Sequence, residues 1–337
     1  MKKNLQTVLL ILENAPSPIG GVERHCYNIQ QFFKEDTDIK LEILSKDDIS
    51  HRNIKKINKI IFSFRELKQK ITASHANTVH IHGFASLVVF QAILAAIILK
   101  KRIIYTPHFH PFHTLENPKS GKVFFYLLLK PVLKKIDTII CINGEDSSFF
   151  RHYHDNVITI PNWLNDAPAL SEIIDCKGSQ NNQMILFVGR ADNNKGIDYL
   201  DKLSDSKYEV HCVTKGQIQD NFIYHRMISE ETLSKLYYQA KLVIIPSRYE
   251  AFSYVALEAL SHGTQILVSD RVRILDHLPE SSNMVHKFMY GDYDGFLSCI
   301  NKVMNDKDDL YRSSNLSEIM SVFNKEKIKN TLRVIYG

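Results

Sequence analysis

The sequence predicts an α/β protein built from two doubly wound, Rossmann-like parallel-sheet domains facing across a cleft. Short β-branched runs alternate with longer helical patterns, and the rhythm restarts after a polar stretch from Asp166 to Gln183. With 337 residues and 44% hydrophobic content, the chain can bury more than one core, at a prior of roughly 150 residues per domain.

The first half reads in order as TVLLIL, a helix near Val22 to Phe33, LEIL, TVHIHG, the apolar helix Phe84 to Leu99, RIIYTPH, TIICIN and VITIPN. The second half reads as MILFVGR, a helix near Gly196 to Leu203, EVHCVT, NFIYH, a helix near Glu230 to Ala240, LVIIPS, a helix near Tyr254 to His262, and QILVSD. The expected domains are therefore residues 1–166 and 182–313. Ligands of such sheets bind beyond the carboxyl ends of the strands, which directs attention to residues just after each run.

Several classes are excluded. The start, MKKNLQTVLLILENAP, has an apolar run too brief for a signal peptide and no small-residue cleavage site, so it reads as a buried first strand. Phe84 to Leu99 falls short of the roughly 20 residues that cross a bilayer, and it contains Ser86 and Gln91. The five cysteines, Cys26, Cys141, Cys176, Cys212 and Cys299, form no C-x-x-C pair, against a disulfide framework or a structural zinc site. A reducing, cytoplasmic location fits that usage.

Net charge is +5, unevenly spread: residues 1–166 hold 22 Lys/Arg against 15 Asp/Glu, and residues 167–337 hold 20 against 22. Arg52 to Lys70 carries seven basic residues and one acidic, interleaved with Ile and Phe at helical spacing; Lys119 to Lys135 adds five around FFYLLL, and Lys100, Lys101 and Arg102 add more. Such stretches suit either peripheral docking on the anionic inner face of a membrane or a solvated helix face, and both readings stand. No nucleic-acid-binding motif accompanies the charge.

Candidate site residues cluster at strand ends. Gly20-Gly21 follows the first strand and precedes a helix, where a backbone can approach an anion; a plain turn would use the same residues. Arg190 follows strand MILFV, and Lys195-Gly196 opens the next helix, so the two cations form either a diphosphate cradle or a solvated loop. Glu250 precedes a helix and Glu258 follows eight residues later, a spacing that puts both carboxylates toward one side if Glu250 lies near the first turn. Glu258 interrupts the apolar run VALEAL and needs a partner. The amides of Phe252, Ser253 and Tyr254 at that helix start are further phosphate donors.

Taken together, GGVER, FVGR followed by KGID, and the E-x7-E of PSRYEAFSYVALEALSHGT resemble the signature of the family 4, or group 1, retaining glycosyltransferases, and VHIHG, TPHFH and ITIPN follow in the right order. The resemblance covers nearly the whole chain and implies the GT-B fold, with an acceptor-binding N-terminal domain, a nucleotide-sugar-binding C-terminal domain and a final helix, about 314–337, crossing back to the first. It implies that Arg190 and Lys195 hold the diphosphate, Glu250 the transferred sugar's hydroxyls and Glu258 the ribose. Gly21 would lie near the phosphates or the acceptor, and His108 near the sugar and the incoming hydroxyl. The chain departs from the pattern at Ala251, where Gly is frequent, at Gln265, where a G-T-P turn is usual, and around His225 to Ile228, where a Gly is missing before the base-binding turn.

Ten of fifteen histidines precede residue 167, among them His80, His82, His108, His110 and His113. No carboxylate or cysteine joins them at metal-ligand spacing, so His80 and His82 are expected to make strand-end hydrogen bonds. Asp292-Tyr293-Asp294 has D-x-D form but sits between Gly291 and Gly295 as an ordinary turn. The expected chemistry needs no metal and no cofactor, because Arg190, Lys195 and a helix dipole supply positive charge.

The sequence thus points to a retaining hexosyltransferase that uses a nucleotide-sugar and a glycan acceptor, lipid-linked or membrane-associated, in surface polysaccharide biosynthesis. The competing readings are a nucleotide-sugar epimerase or hydrolase on the same fold, and a non-catalytic membrane-docked sugar-nucleotide-binding module.

Overall fold

The computed structural model describes residues 5–54, 59–84, 86–110, 118–168, 181–280, 282–306 and 312–337. His113 lies outside them. The chain divides into two compact units, one of Met1–Asn165 with Lys325–Gly337 and one of Asp166–Asn324.

The first unit runs β1 (Gln6–Ile11), α1 (Val22–Phe33), β2 (Ile39–Leu44), β3 (His51–Ile54), β4 (Lys59–Phe62), α2 (Phe64–Ala73), β5 (Thr78–His82), α3 (Leu87–Ile98), β6 (Arg102–Thr106), α4 (Pro118–Phe124), β7 (Thr138–Cys141), α5 (Gly144–Arg151) and β8 (Val157–Thr159). Its sheet has the order β2-β1-β5-β6-β7-β8, and every pairing is parallel. Period-two alternation sends Leu9, Ile11, Val79, Ile81 and Tyr105 to one core and Val8, Leu10, Ile104 and Ile140 to the other. Both faces are therefore covered, which is why these strands read as unbroken apolar runs.

Arg52 to Lys70 is not one amphipathic helix. Its first part is the antiparallel pair β3–β4, and helix begins only at Phe64. β-branched Ile54, Ile60 and Ile61 favour extended backbone there. Gln91 of α3 completes the arrangement: its Oε1 accepts from the Phe62 amide at 2.9 Å and its Nε2 donates to the Phe62 carbonyl at 3.0 Å. The polar residue inside the apolar helix thus stands in for a missing strand. Ser86 caps α3 by accepting from the Val88 amide at 3.2 Å.

The second unit runs β9 (Asn181–Val188), α6 (Ile197–Asp201), β10 (Glu209–Val213), β11 (Ile223–His225), α7 (Glu230–Gln239), β12 (Ala240–Ile245), α8 (Tyr254–Ser261), β13 (Gln265–Ser269), β14 (Val285–Phe288), α9 (Tyr293–Asn305) and α10 (Arg312–Val322). Its parallel sheet has the order β11-β10-β9-β12-β13-β14, reversing direction between β9 and β12. At Gln265, β13 is regular, and the side-chain oxygen accepts from His286 Nε2 at 2.7 Å. Within His225 to Ile228, Met227 holds φ 49° and is 95% exposed.

The return to the first unit begins at Lys325, later than the expected Ser314, because α10 packs against α8 and Phe323 rests on Phe252 and His277. The closing helix α11 (Lys325–Tyr336) buries Ile328, Leu332, Ile335 and Tyr336 in the core that also holds Val8, Ile104 and Trp163. Lys325 Nζ donates to the Asn165 carbonyl at 2.9 Å, and Arg333 pairs with Asp36.

Candidate active site

Where a parallel sheet reverses its winding, neighbouring strands send their following loops apart and leave a crevice at their carboxyl ends. In the second unit that point lies between β9 and β12, and the loops after them hold Lys195 and Glu250. Lys195 Nζ lies 2.9 Å from Glu250 Oε1, with side chains 21% and 12% exposed. Ser247 Oγ donates to the same carboxylate oxygen at 2.5 Å.

Several residues that the sequence reading missed build this contact. Asp192 accepts from the Lys195 amide at 3.0 Å, capping the short turn Asn193–Lys195. Gly196 then takes φ 72°, and a Cβ there would stand 2.0 Å from the Pro246 carbonyl oxygen. Only glycine lets the Lys195 turn approach the end of β12 so closely. The Arg248 amide donates to the Asn194 carbonyl at 2.8 Å, joining the two loops. Asp ahead of a K-G turn is a capping signal in the sequence, whereas Ser247 and Asn194 offer none.

Glu250 is held by backbone rather than by helical spacing. It forms a bridge with Val272, with its amide on the Arg271 carbonyl at 3.3 Å and its carbonyl accepting from Arg273 at 2.9 Å. Helix α8 starts later, at Tyr254, so the shared-face geometry with Glu258 does not arise from one helix. Glu258 sits inside α8, where Tyr237 Oη of α7 donates to Oε2 at 2.7 Å; this partner is what lets a carboxylate interrupt VALEAL. Ser253 caps α8 by accepting from the Ala256 amide, and Ala251, Phe252 and Ser253 are buried while Tyr254 is half-buried. Arg190 stands at the tip of β9, 75% exposed, with Nε 3.2 Å from Asp192. Asp292 caps α9 through the Gly295 amide at 2.8 Å.

In the first unit the winding reverses between β1 and β5. Gly20 takes φ 106°, whereas Gly21 is the cap residue of α1 and a Cβ there would meet nothing within 4 Å. The tips of β5 and β6 and helix α1 bring together buried His82, His108 and His25. His25 Nδ1 donates to Asn162 Oδ1 at 2.7 Å, and His82 Nδ1 lies 3.1 Å from His108 Nε2. His80 hydrogen bonds Tyr336 Oη at 2.9 Å and Thr106 Oγ1 at 2.8 Å. Burial, before any other cause, lowers the proton affinity of all four rings, that of His25 to a pKa of about 4. His108 itself has φ 62°, and His110 packs on Phe149.

Comparison with known proteins matches this architecture. The family model for glycosyltransferase family 4 matches residues 19–167, and that for glycosyl transferases group 1 matches residues 172–315. An uncharacterized protein of the cps region of Klebsiella pneumoniae is 26% identical over 65% of this chain and 66% of its own. An uncharacterized glycosyltransferase of Methanocaldococcus jannaschii is 23% identical over 79% of this chain and 80% of its own. Among solved structures, sucrose-phosphate synthase of Thermosynechococcus elongatus superposes with a TM-score of 0.76 at 15% identity, covering 98% of each chain. Anabaena HepE, in complex with UDP and glucose, gives 0.70 at 14% identity over 97% of this chain and 98% of its own. The lipopolysaccharide outer core galactosyltransferase WaaB gives 0.70 at 16% identity over 98% of this chain and 99% of its own. Two parallel-sheet units, GT-B neighbours over their full length and two family models that meet near residue 170 lead to one assignment: the chain belongs to the family 4, group 1 glycosyltransferases.

Proposed function

We propose that this enzyme moves a sugar from a nucleotide-sugar to a glycan acceptor, lipid-linked or membrane-associated, in surface polysaccharide synthesis, with retention at the anomeric carbon and no metal ion at the diphosphate. The observation that carries the reading is the Lys195–Glu250 pair at the switch point of the second sheet, a cation for phosphate beside a carboxylate for hydroxyls. HepE in complex with UDP-glucose supports the donor class, and WaaB, a lipopolysaccharide outer core galactosyltransferase, supports a glycan acceptor.

In this reading Lys195 and Arg190 hold the diphosphate, with the amides of Phe252, Ser253 and Tyr254 at the start of α8 as further donors. Glu250 accepts from the transferred sugar's hydroxyls and Glu258 from the ribose. Gly21 leaves room for phosphate or acceptor, and His108 serves the sugar and the incoming hydroxyl. As the bond from the anomeric carbon to the phosphate oxygen breaks, charge grows on that oxygen, and Lys195 is already positioned to stabilise it. The acceptor hydroxyl enters on the same face and gives its proton to the departing oxygen.

Among the described residues no helix is long and apolar enough to cross a membrane. Val123, Tyr126 and Leu127 are 56%, 46% and 69% exposed beside exposed Lys122 and Lys130, which supports peripheral docking on an anionic cytoplasmic leaflet.

A panel of UDP-, GDP- and ADP-sugars, assayed in EDTA with Arg190→Ala and Glu250→Ala, tests the reading. One donor should bind and turn over, with loss in both variants and an anomeric configuration unchanged in the product. Inversion of that configuration, or a requirement for divalent metal at the donor, would overturn it.

A further inference from the structure

We propose that His25, His82 and His108 are the protein ligands of a transition-metal site of the zinc class in the first unit. One ring nitrogen from each lies within 4.8 Å of the other two, and all three side chains are buried. A tetrahedral ion with nitrogens at about 2.0–2.1 Å holds its ligand atoms roughly 3.3 Å apart, so small ring rotations close the cluster. His82 and His108 already approach to 3.1 Å.

The surroundings complete such a site. Asn162, 2% exposed, accepts from His25 Nδ1, which fixes the tautomer and leaves Nε2 as a lone pair. His80 is excluded as a ligand because Tyr336 and Thr106 engage both its nitrogens; it packs against His82 at 3.9 Å between ring centroids. Three imidazoles and no carboxylate select Zn2+ or Co2+ over Mg2+ or Mn2+ and leave one tetrahedral position to water.

The metal-ligand spacing is invisible along the chain because the ligands come from α1, the end of β5 and the loop after β6. The charged donor-side residues lie in the second unit, whereas this site shares His108 with the sugar and acceptor contact proposed above.

The test uses untagged, chelator-stripped protein titrated with Co2+, followed by visible absorption, then Zn2+ displacement and X-ray absorption spectroscopy of the zinc form. A saturable tetrahedral Co2+ band is expected, unaffected by Mg2+, with three imidazole nitrogens at about 2.0–2.1 Å from zinc. His25→Ala should abolish the band, and Asn162→Ala should weaken Co2+ binding roughly 10–100-fold. Absence of the band in the wild-type protein, an unchanged titration in folded His25→Ala, or fewer than three imidazole ligands would each overturn the proposal. Should His25→Ala not fold, Asn162→Ala and the wild-type absorption data decide the matter.

Discussion

Glu250→Gln separates two jobs that the Lys195–Glu250 contact performs. Without donor, the carboxylate neutralises Lys195 at 2.9 Å; in the donor complex proposed above, the same carboxylate stands near an incoming diphosphate. At an effective dielectric of about 20, a like charge about 6 Å away costs roughly 3 kcal/mol, which partial exposure of both side chains reduces to roughly 1–2 kcal/mol. Glutamine keeps an oxygen for Ser247 and Lys195 but drops that repulsion, so a nucleoside diphosphate should bind roughly tenfold more tightly. The transferred sugar meanwhile loses a charged acceptor worth about 1.5–3 kcal/mol, so kcat/KM should fall roughly 10–100-fold. Titration calorimetry with the diphosphate and with the nucleotide-sugar, beside transfer kinetics, reads both effects. Weaker binding of the diphosphate in the variant would refute the reasoning, for it would mean that Glu250 chiefly holds Lys195 in place.

Gly196→Ala should cost about 1–3 kcal/mol or more in urea unfolding, because its Cβ would stand 2.0 Å from the Pro246 carbonyl oxygen at a backbone of φ 72°. Gly21→Ala meets open space and should leave stability within about 0.5 kcal/mol while lowering transfer, since only a ligand would touch the added methyl. His286 is lowered from 6.5 to a pKa of about 4, first by burial and then by Lys302, with Asp306 opposing. Between those values the unfolded chain binds a proton that the native state refuses, so stability should fall by about 3 kcal/mol as pH drops from 6.5 toward 4. Denaturant midpoints across that range should decline less in His286→Gln. Leu127→Asp with Val123→Asp should cut binding to phosphatidylserine-containing vesicles at least tenfold by flotation, the loss of two inserted apolar side chains, without moving the unfolding midpoint.

Much of the fold was legible because both sheets are parallel and buried on both faces, so their strands appear as dense runs such as LVII and MILFV. Lys195 and Glu250 were readable for a related reason: each follows a strand end. Periodicity failed at Arg52 to Lys70, where Ile and Phe satisfy a helix and a strand pattern at once and the partner that decides, Gln91, lies on another helix. It failed again at the C terminus, where α10 and α11 are both helices and only their packing shows that they belong to different units. The His25–Asn162 bond joins residues 137 apart, and no spacing rule reaches that far.

Lys325 and Asn165 meet at the point where the chain leaves the first unit and where it comes back. The second unit is therefore a guest inserted into a host whose two cut ends are neighbours. Excising residues 166–324 and bridging Asn165 to Lys325 with a few flexible residues should leave the host's core whole. Ending the chain at Asn324 should instead strip Ile328, Leu332, Ile335 and Tyr336 from one face of its sheet. A free-standing first unit would thus need residues 325–337 as much as residues 1–165.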